Sequence, residues 1–102
     1  MEVDTTNYYQ TGDVLYFKVK GKPKGLKKVD TNLIHQGRDN KHTISGDYSI
    51  HVNDEIMIIT VKSQAVLKHG EHTDVTIGKG SYLKRIVKER DHILELTREV
   101  ID

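Results

Sequence analysis

The segment Ile56-Met57-Ile58-Ile59-Thr60-Val61 restricts the fold more than any other part of the chain. Successive side chains of a strand point to opposite faces, so a run that is apolar at odd and even positions alike has two faces to bury. Its β-branched residues suit a pleated surface. This segment is therefore expected to be the most buried strand and the best marker of the core.

The rest of the pattern agrees with a β-rich chain. Residues 13–20 put Leu15, Phe17 and Val19 on one face and Tyr16, Lys18 and Lys20 on the other, the period-2 signature of a half-buried strand. Gly21-Lys22-Pro23-Lys24-Gly25 is a basic loop holding the single proline. A weaker strand is read over residues 26–35, then a turn at Gly37-Arg38-Asp39-Asn40 and a short strand at residues 42–44. Ser45-Gly46-Asp47 is read as a turn into residues 48–52, which form a hairpin with residues 55–61 across Asn53-Asp54. A second hairpin is expected from residues 64–69 and 72–77 around Gly70-Glu71, followed by a corner at Gly78-Lys79-Gly80 and a strand over residues 81–89. The C-terminal stretch, residues 93–101, fits a helical stripe and a strand face equally well.

These elements predict an all-β, mainly antiparallel single domain spanning residues 1–102, a sandwich or small barrel of about eight short strands. Jelly-roll and cupin-like variants stay open, and residues 1–10 are expected to be flexible or loosely packed. An apolar fraction of 35% implies a thin core under a charged surface. Sixteen Lys and Arg against fifteen Asp and Glu leave no global basic excess, which disfavours a dedicated nucleic-acid binder. The absence of cysteine excludes disulfides, thiolate metal sites and a Cys nucleophile. With no apolar run resembling a signal peptide or a membrane span, a cytoplasmic location is expected, or the host cytoplasm for a viral source.

The chemical signal is histidine. The chain has six, His35, His42, His51, His69, His72 and His92. Across a two-residue turn, His69 and His72 become directly opposed, with Cβ atoms about 5 Å apart. Two imidazoles at that spacing suit one zinc, nickel or iron ion, given a third ligand. His42 is the candidate third ligand and Glu71 a weaker one. The plainer reading is an exposed polar pair at a hairpin end, with His35, His51 and His92 as solvent-facing residues. A cupin metal motif is not matched, because two residues separate His69 from His72 and no glutamate lies between His72 and Gly80. Walker-type loops, G-x-S-x-G, H-E-x-x-H and zinc-ribbon spacings are absent. The basic stretches at residues 18–28 and 84–90, with Tyr8, Tyr9, Tyr16 and Tyr82 as stacking groups, offer a nucleic-acid surface, against which a solvated face is the preferred reading.

Gln10-Thr11-Gly12-Asp13-Val14-Leu15, Gly37 with His42, His69-Gly70-Glu71-His72, Gly80-Ser81-Tyr82 and the Lys88-Glu89-Arg90-Asp91 stretch resemble a small uncharacterised β-rich family of bacteria and phages. Its pattern reads QxGDVL, then GHxH, HxEH and IxxGxY. The resemblance implies that His42, His69 and His72 occupy the family's histidine positions, and it implies no activity. This chain has Lys41 where the family tends to have glycine and Ile44 where it has a second histidine. The leading functional expectation is a non-enzymatic interaction or assembly module, possible in a phage setting and as a homo-oligomer through exposed strand edges. A His-dependent metal-binding protein or small metalloenzyme is the alternative, and a weak nucleic-acid binder the third.

Overall fold

The computed structural model describes residues 1–37, 40–70 and 73–86. Among the described residues there are seven strands: β1 (Glu2–Thr11), β2 (Val14–Lys20), β3 (Lys27–Val29), β4 (Leu33–Gln36), β5 (Lys41–Val52), β6 (Met57–His69) and β7 (Val75–Ile86). All pair antiparallel within one sheet of order β1-β2-β7-β6-β5-β3, and β4 joins the same edge of β5 as β3. The fold is all-β, and there is no helix among the described residues.

The segment that constrains the sequence most is the first half of β6, between β5 and β7. Ile58 and Ile59 are adjacent and both completely buried, one on each face of the sheet. Ile59 and Val61 belong to the larger core with Val14, Tyr16, Ile34, Ile44, Ile50 and Ile77, whereas Ile58 packs with Val19 and Leu83 on the other side.

Contributions to the larger core come from β2 and from β4, which lie far apart in the strand order. One contiguous core is possible only if the sheet curls. Side chains that bridge non-neighbouring strands record the same curl: Lys84 on β7 donates to the Ile34 carbonyl of β4 at 3.2 Å, and Thr11 at the end of β1 meets His42 of β5 at 3.1 Å.

Two expected turns are bends within long strands, and two strands expected to be separate, residues 55–61 and 64–69, run on as one. Residues 45–47 lie inside β5, residues 62–63 inside β6, and residues 78–80 inside β7. The registers shift between Gly46 and Tyr48 and between Val61 and Gln64, so extra residues are absorbed as bulges that bend the strands without ending them. The about eight short strands of the sequence reading thus become seven, three of them long, while residues 26–35 divide into β3 and β4. β1 is a mostly exposed strand that pairs with β2 at Glu2, Val3 and Tyr8–Thr11, with Tyr8 packed on Phe17 and Tyr9 on Tyr82. The Asn53-Asp54 turn is as expected: the Asn53 carboxamide accepts from the amides of Glu55 and Ile56 at 2.7 and 2.8 Å. Residues 93–101 lie outside the described residues.

Gly46 sits at the β5 bend with φ +116°, and a Cβ there would lie 2.7 Å from the Gln64 carbonyl oxygen and 2.9 Å from the Ala65 Cα. Both obstacles are backbone. Gly46→Ala is expected to lower stability in urea denaturation by about 2–4 kcal/mol. Gly21→Ala, at φ +76° with open space around it, should cost only about 1 kcal/mol.

Candidate functional site

Three hairpin ends meet at one end of the curled sheet. Residues 12–13 turn β1 into β2, with Gly12 at φ +56° in the first central position, which favours glycine. Residues 37–40 join β4 to β5, closed by the Gly37 amide donating to the Asn40 carbonyl at 2.9 Å. His69 and Gly70 end β6.

Across these strands the ladder places His35 opposite His42 and His42 opposite His69. Three imidazoles therefore form a row over β4, β5 and β6. The His42 and His69 rings are stacked, centroids 3.9 Å apart and planes 13° from parallel. The His35 and His42 rings stand 5.6 Å apart at 49°. Gly12 lies so close to His69 that a Cβ would collide with Cε1 of the ring, so the turn glycine is also what admits the stack.

His42 is 2% exposed and its Nδ1 lies 3.1 Å from the Thr11 hydroxyl, which in turn donates to the buried Tyr16 hydroxyl at 3.4 Å. With the Thr11 hydrogen directed at Tyr16, Nδ1 is the donor to Thr11, and the Nε2 lone pair is left on the Gly37 side of the ring. A recess of 210 Å³ opens there, lined by Gly12, Asp13, His35, Gly37, Asn40, His42 and His69.

Burial first, and then the neighbouring His69 and His35 rings, hold the His42 pKa down to about 4, while Asp13 acts in the opposite direction. His35 is lowered by burial and by the Lys84 ammonium, again opposed by Asp13. Burial also lowers Lys84, which crosses the core face beside this end, and pushes the Tyr16 phenol up to about 12. The His42 imidazole is thus a neutral base at pH 7, fixed in one tautomer, with a carboxylate close enough to influence it.

Of the expected site residues, the structure unites His42 and His69. His72 and Glu71 lie outside the described residues, as does His92. His35, read as solvent-facing, stands in the row instead. His51 is on the opposite half of β5, across from Lys28. Thr11, Asp13, Tyr16 and Lys84 were not marked by the histidine pattern. Two signals pointed to this end: His35 and His42 flank the Gly37 to Asn40 turn, and Thr11-Gly12-Asp13 is a turn tripeptide before a strong strand. Among the described residues, no three His, Cys, Asp or Glu side chains are already gathered to hold a metal ion; the donors flank the recess.

A family model described as "Domain of unknown function (DUF8820)" matches residues 10–87, three quarters of the chain and every strand but most of β1. The chain belongs to this family. That agrees with the resemblance to a small uncharacterised family with no established function. The matched span includes His35, His42 and His69 with Thr11 and Asp13. No curated protein and no solved structure matches. Among the described residues of this DUF8820 member, no helix is long and apolar enough to cross a membrane.

Thr11→Val keeps the shape and removes the oxygen that satisfies His42 Nδ1, and should lower stability by about 1–3 kcal/mol in denaturant titrations. The pH dependence follows from the lowered histidine. Between the ordinary histidine value of 6.5 and about 4, the unfolded chain binds a proton that folded His42 does not. Stability present above pH 6.5 is therefore lost as the pH falls toward 4. Thermal melts of the wild type should fall over this window, and His42→Gln should reduce that slope.

Proposed function

We propose that this domain is a non-enzymatic binding module whose histidine end holds a divalent transition metal ion, with zinc, nickel and iron as the candidates. The observation that carries the reading is the His35 and His42 pair. A metal lies roughly 2 Å from each imidazole nitrogen, so two rings on one tetrahedral ion have centroids roughly 5 Å apart and are tilted to each other. The pair stands at 5.6 Å and 49°. His42 Nδ1 is engaged by Thr11, the arrangement that fixes the ring of a metal-binding histidine and leaves Nε2 as the ligand. Neutrality at pH 7 spares the ion competition with a proton. Asp13, on the rim of the same recess, supplies a carboxylate.

His69 has a different part in this reading. Nearly parallel stacked rings have lone pairs in separate planes, so one ion cannot lie in the plane of both. His69 supports the face of His42 and shields it from water. His72 and Glu71, which follow at once in the sequence, are further candidate ligands.

Assembly through the β1 edge has less support. β1 pairs with β2 on one side, but its register breaks between Val3 and Tyr8, and the Asp4 carboxylate accepts from the Thr6 amide and hydroxyl at 2.9 and 2.6 Å within that break. A bulged, acidic edge is a poor template for another strand.

Metal-stripped protein titrated with zinc and nickel in a calorimeter should bind one equivalent per chain. His35→Ala and His42→Ala should each weaken binding tenfold or more, with His51→Ala unchanged; His72→Ala and Glu71→Gln show whether either residue adds a ligand. Binding should also raise the melting temperature. Absence of stoichiometric metal, or equal affinity in wild type and both recess variants, would overturn the reading.

A further inference from the structure

Lys18, Lys20, Lys22, Lys24, Lys27 and Lys28 fall within eleven residues that contain no Asp or Glu. All six are exposed, along the end of β2, the loop after it and β3. Gly21 and Gly25, at φ +76° and +86°, have open space around them, so no side chain packs over the loop backbone at these two points. The positive charges are close together: beyond burial, what holds the His51 imidazole down is the pair Lys22 and Lys28.

The lysine row leads to aromatic rings. Lys20 and Lys18 line one recess with Val3 and Val19, and Lys18 also lines the next, of 470 Å³, with Asn7, Tyr8, Tyr9 and Tyr82. Tyr8 and Tyr9 are 40% and 38% exposed and lie on opposite faces, Tyr8 against Phe17 at 5.3 Å and Tyr9 against Tyr82 at 6.0 Å, so that Tyr9 is the ring on the same face as Lys18 and Lys20. A large ring that is braced on one side and open on the other is a ready stacking platform. Tyr16 is completely buried and Tyr82 nearly so, which removes both from the stacking groups expected from sequence and leaves Tyr82 as a brace.

We propose that this surface, from the lysine loop to Tyr9, binds single-stranded nucleic acid, with phosphates along the lysines and a base on the Tyr9 ring, which lies on the same face of the sheet as Lys18 and Lys20. It shares no residue with the histidine recess and does not depend on the metal reading. A single strand fits better than a duplex because stacking on a protein ring needs a base whose face is free. An acidic protein would use the lysines but has no planar bases for the braced ring. Glu2 and Asp4 line the same recesses, which places the phosphates on the lysine side. With a net charge of +1 for the whole chain, affinity is modest and depends steeply on salt.

Fluorescence anisotropy of a labelled fifteen-nucleotide oligothymidine at low salt, with the full chain, tests this. Binding should weaken with added salt, and Lys22→Glu with Lys24→Glu, both in the open loop, should reduce affinity at least tenfold and make the salt slope shallower by about 1.4. Tyr9→Ala should weaken oligothymidine but leave polyglutamate unaffected, and Tyr8→Ala, on the other face, should bind as wild type, with circular dichroism checking the fold and quenching of tyrosine fluorescence in the wild type reporting stacking independently. His42→Ala should bind as wild type. No binding at low salt, a preference for duplex, or equal loss of polyglutamate and oligothymidine without quenching would overturn the proposal.

Discussion

The structure depends on how a buried histidine is satisfied at the end of a curled sheet. His42 has almost no contact with solvent, and the group that takes up its Nδ1 comes from β1, at the other side of the strand order. A buried polar nitrogen without a partner costs about 1–3 kcal/mol, so the fold is under pressure to keep Thr11 where it is. Among the described residues β1 pairs only with β2, and its C-terminal end is brought to β5 by the curl and held there by Thr11, Tyr16 and His42. The same contact fixes the ring orientation on which the proposed metal binding rests.

The curl itself has an apolar cause. β6 is buried on both faces through Ile58 and Ile59, so side chains must cover it from two directions. On the larger face they come from β2, β4, β5 and β7, which a flat sheet of this order would hold apart. Bulges in β5 and β6 supply the bend, and Gly46 permits it where the two backbones approach closely. Packing of the core and placement of the histidines are thus one event: the strands that close over Ile59 and Val61 carry His35, His42 and His69 to the same end.

Much of this was legible in the sequence, and what was missed has physical reasons. The two-faced run at residues 56–61 and the alternation at 13–20 identified central strands because burial writes itself into hydrophobic period. Gly46 and Gly80 were read as turns because a bulge and a turn ask for the same residue, one that tolerates positive φ. His42 and His69 were singled out, but their stack joins residues 27 positions apart, which no local pattern records. His35 was set aside because it ends the weak strand read over residues 26–35, and its place beside His42 comes only from the pairing of β4 with β5. Thr11 bears no chemical mark of its own. Its role exists only once the sheet has curled.

Thr11 holds His42 as the Nδ1–H tautomer, with a bare Nε2 facing the recess. Long-range proton–nitrogen correlation spectra of the histidine rings at neutral pH, recorded without and with one equivalent of zinc, test it most directly. His42 should show a protonated Nδ1 and an unprotonated Nε2 in the free protein, and the Nε2 resonances of His42 and His35 should shift when zinc is added. A His42 protonated at Nε2, or spectra that zinc leaves unchanged, would contradict it.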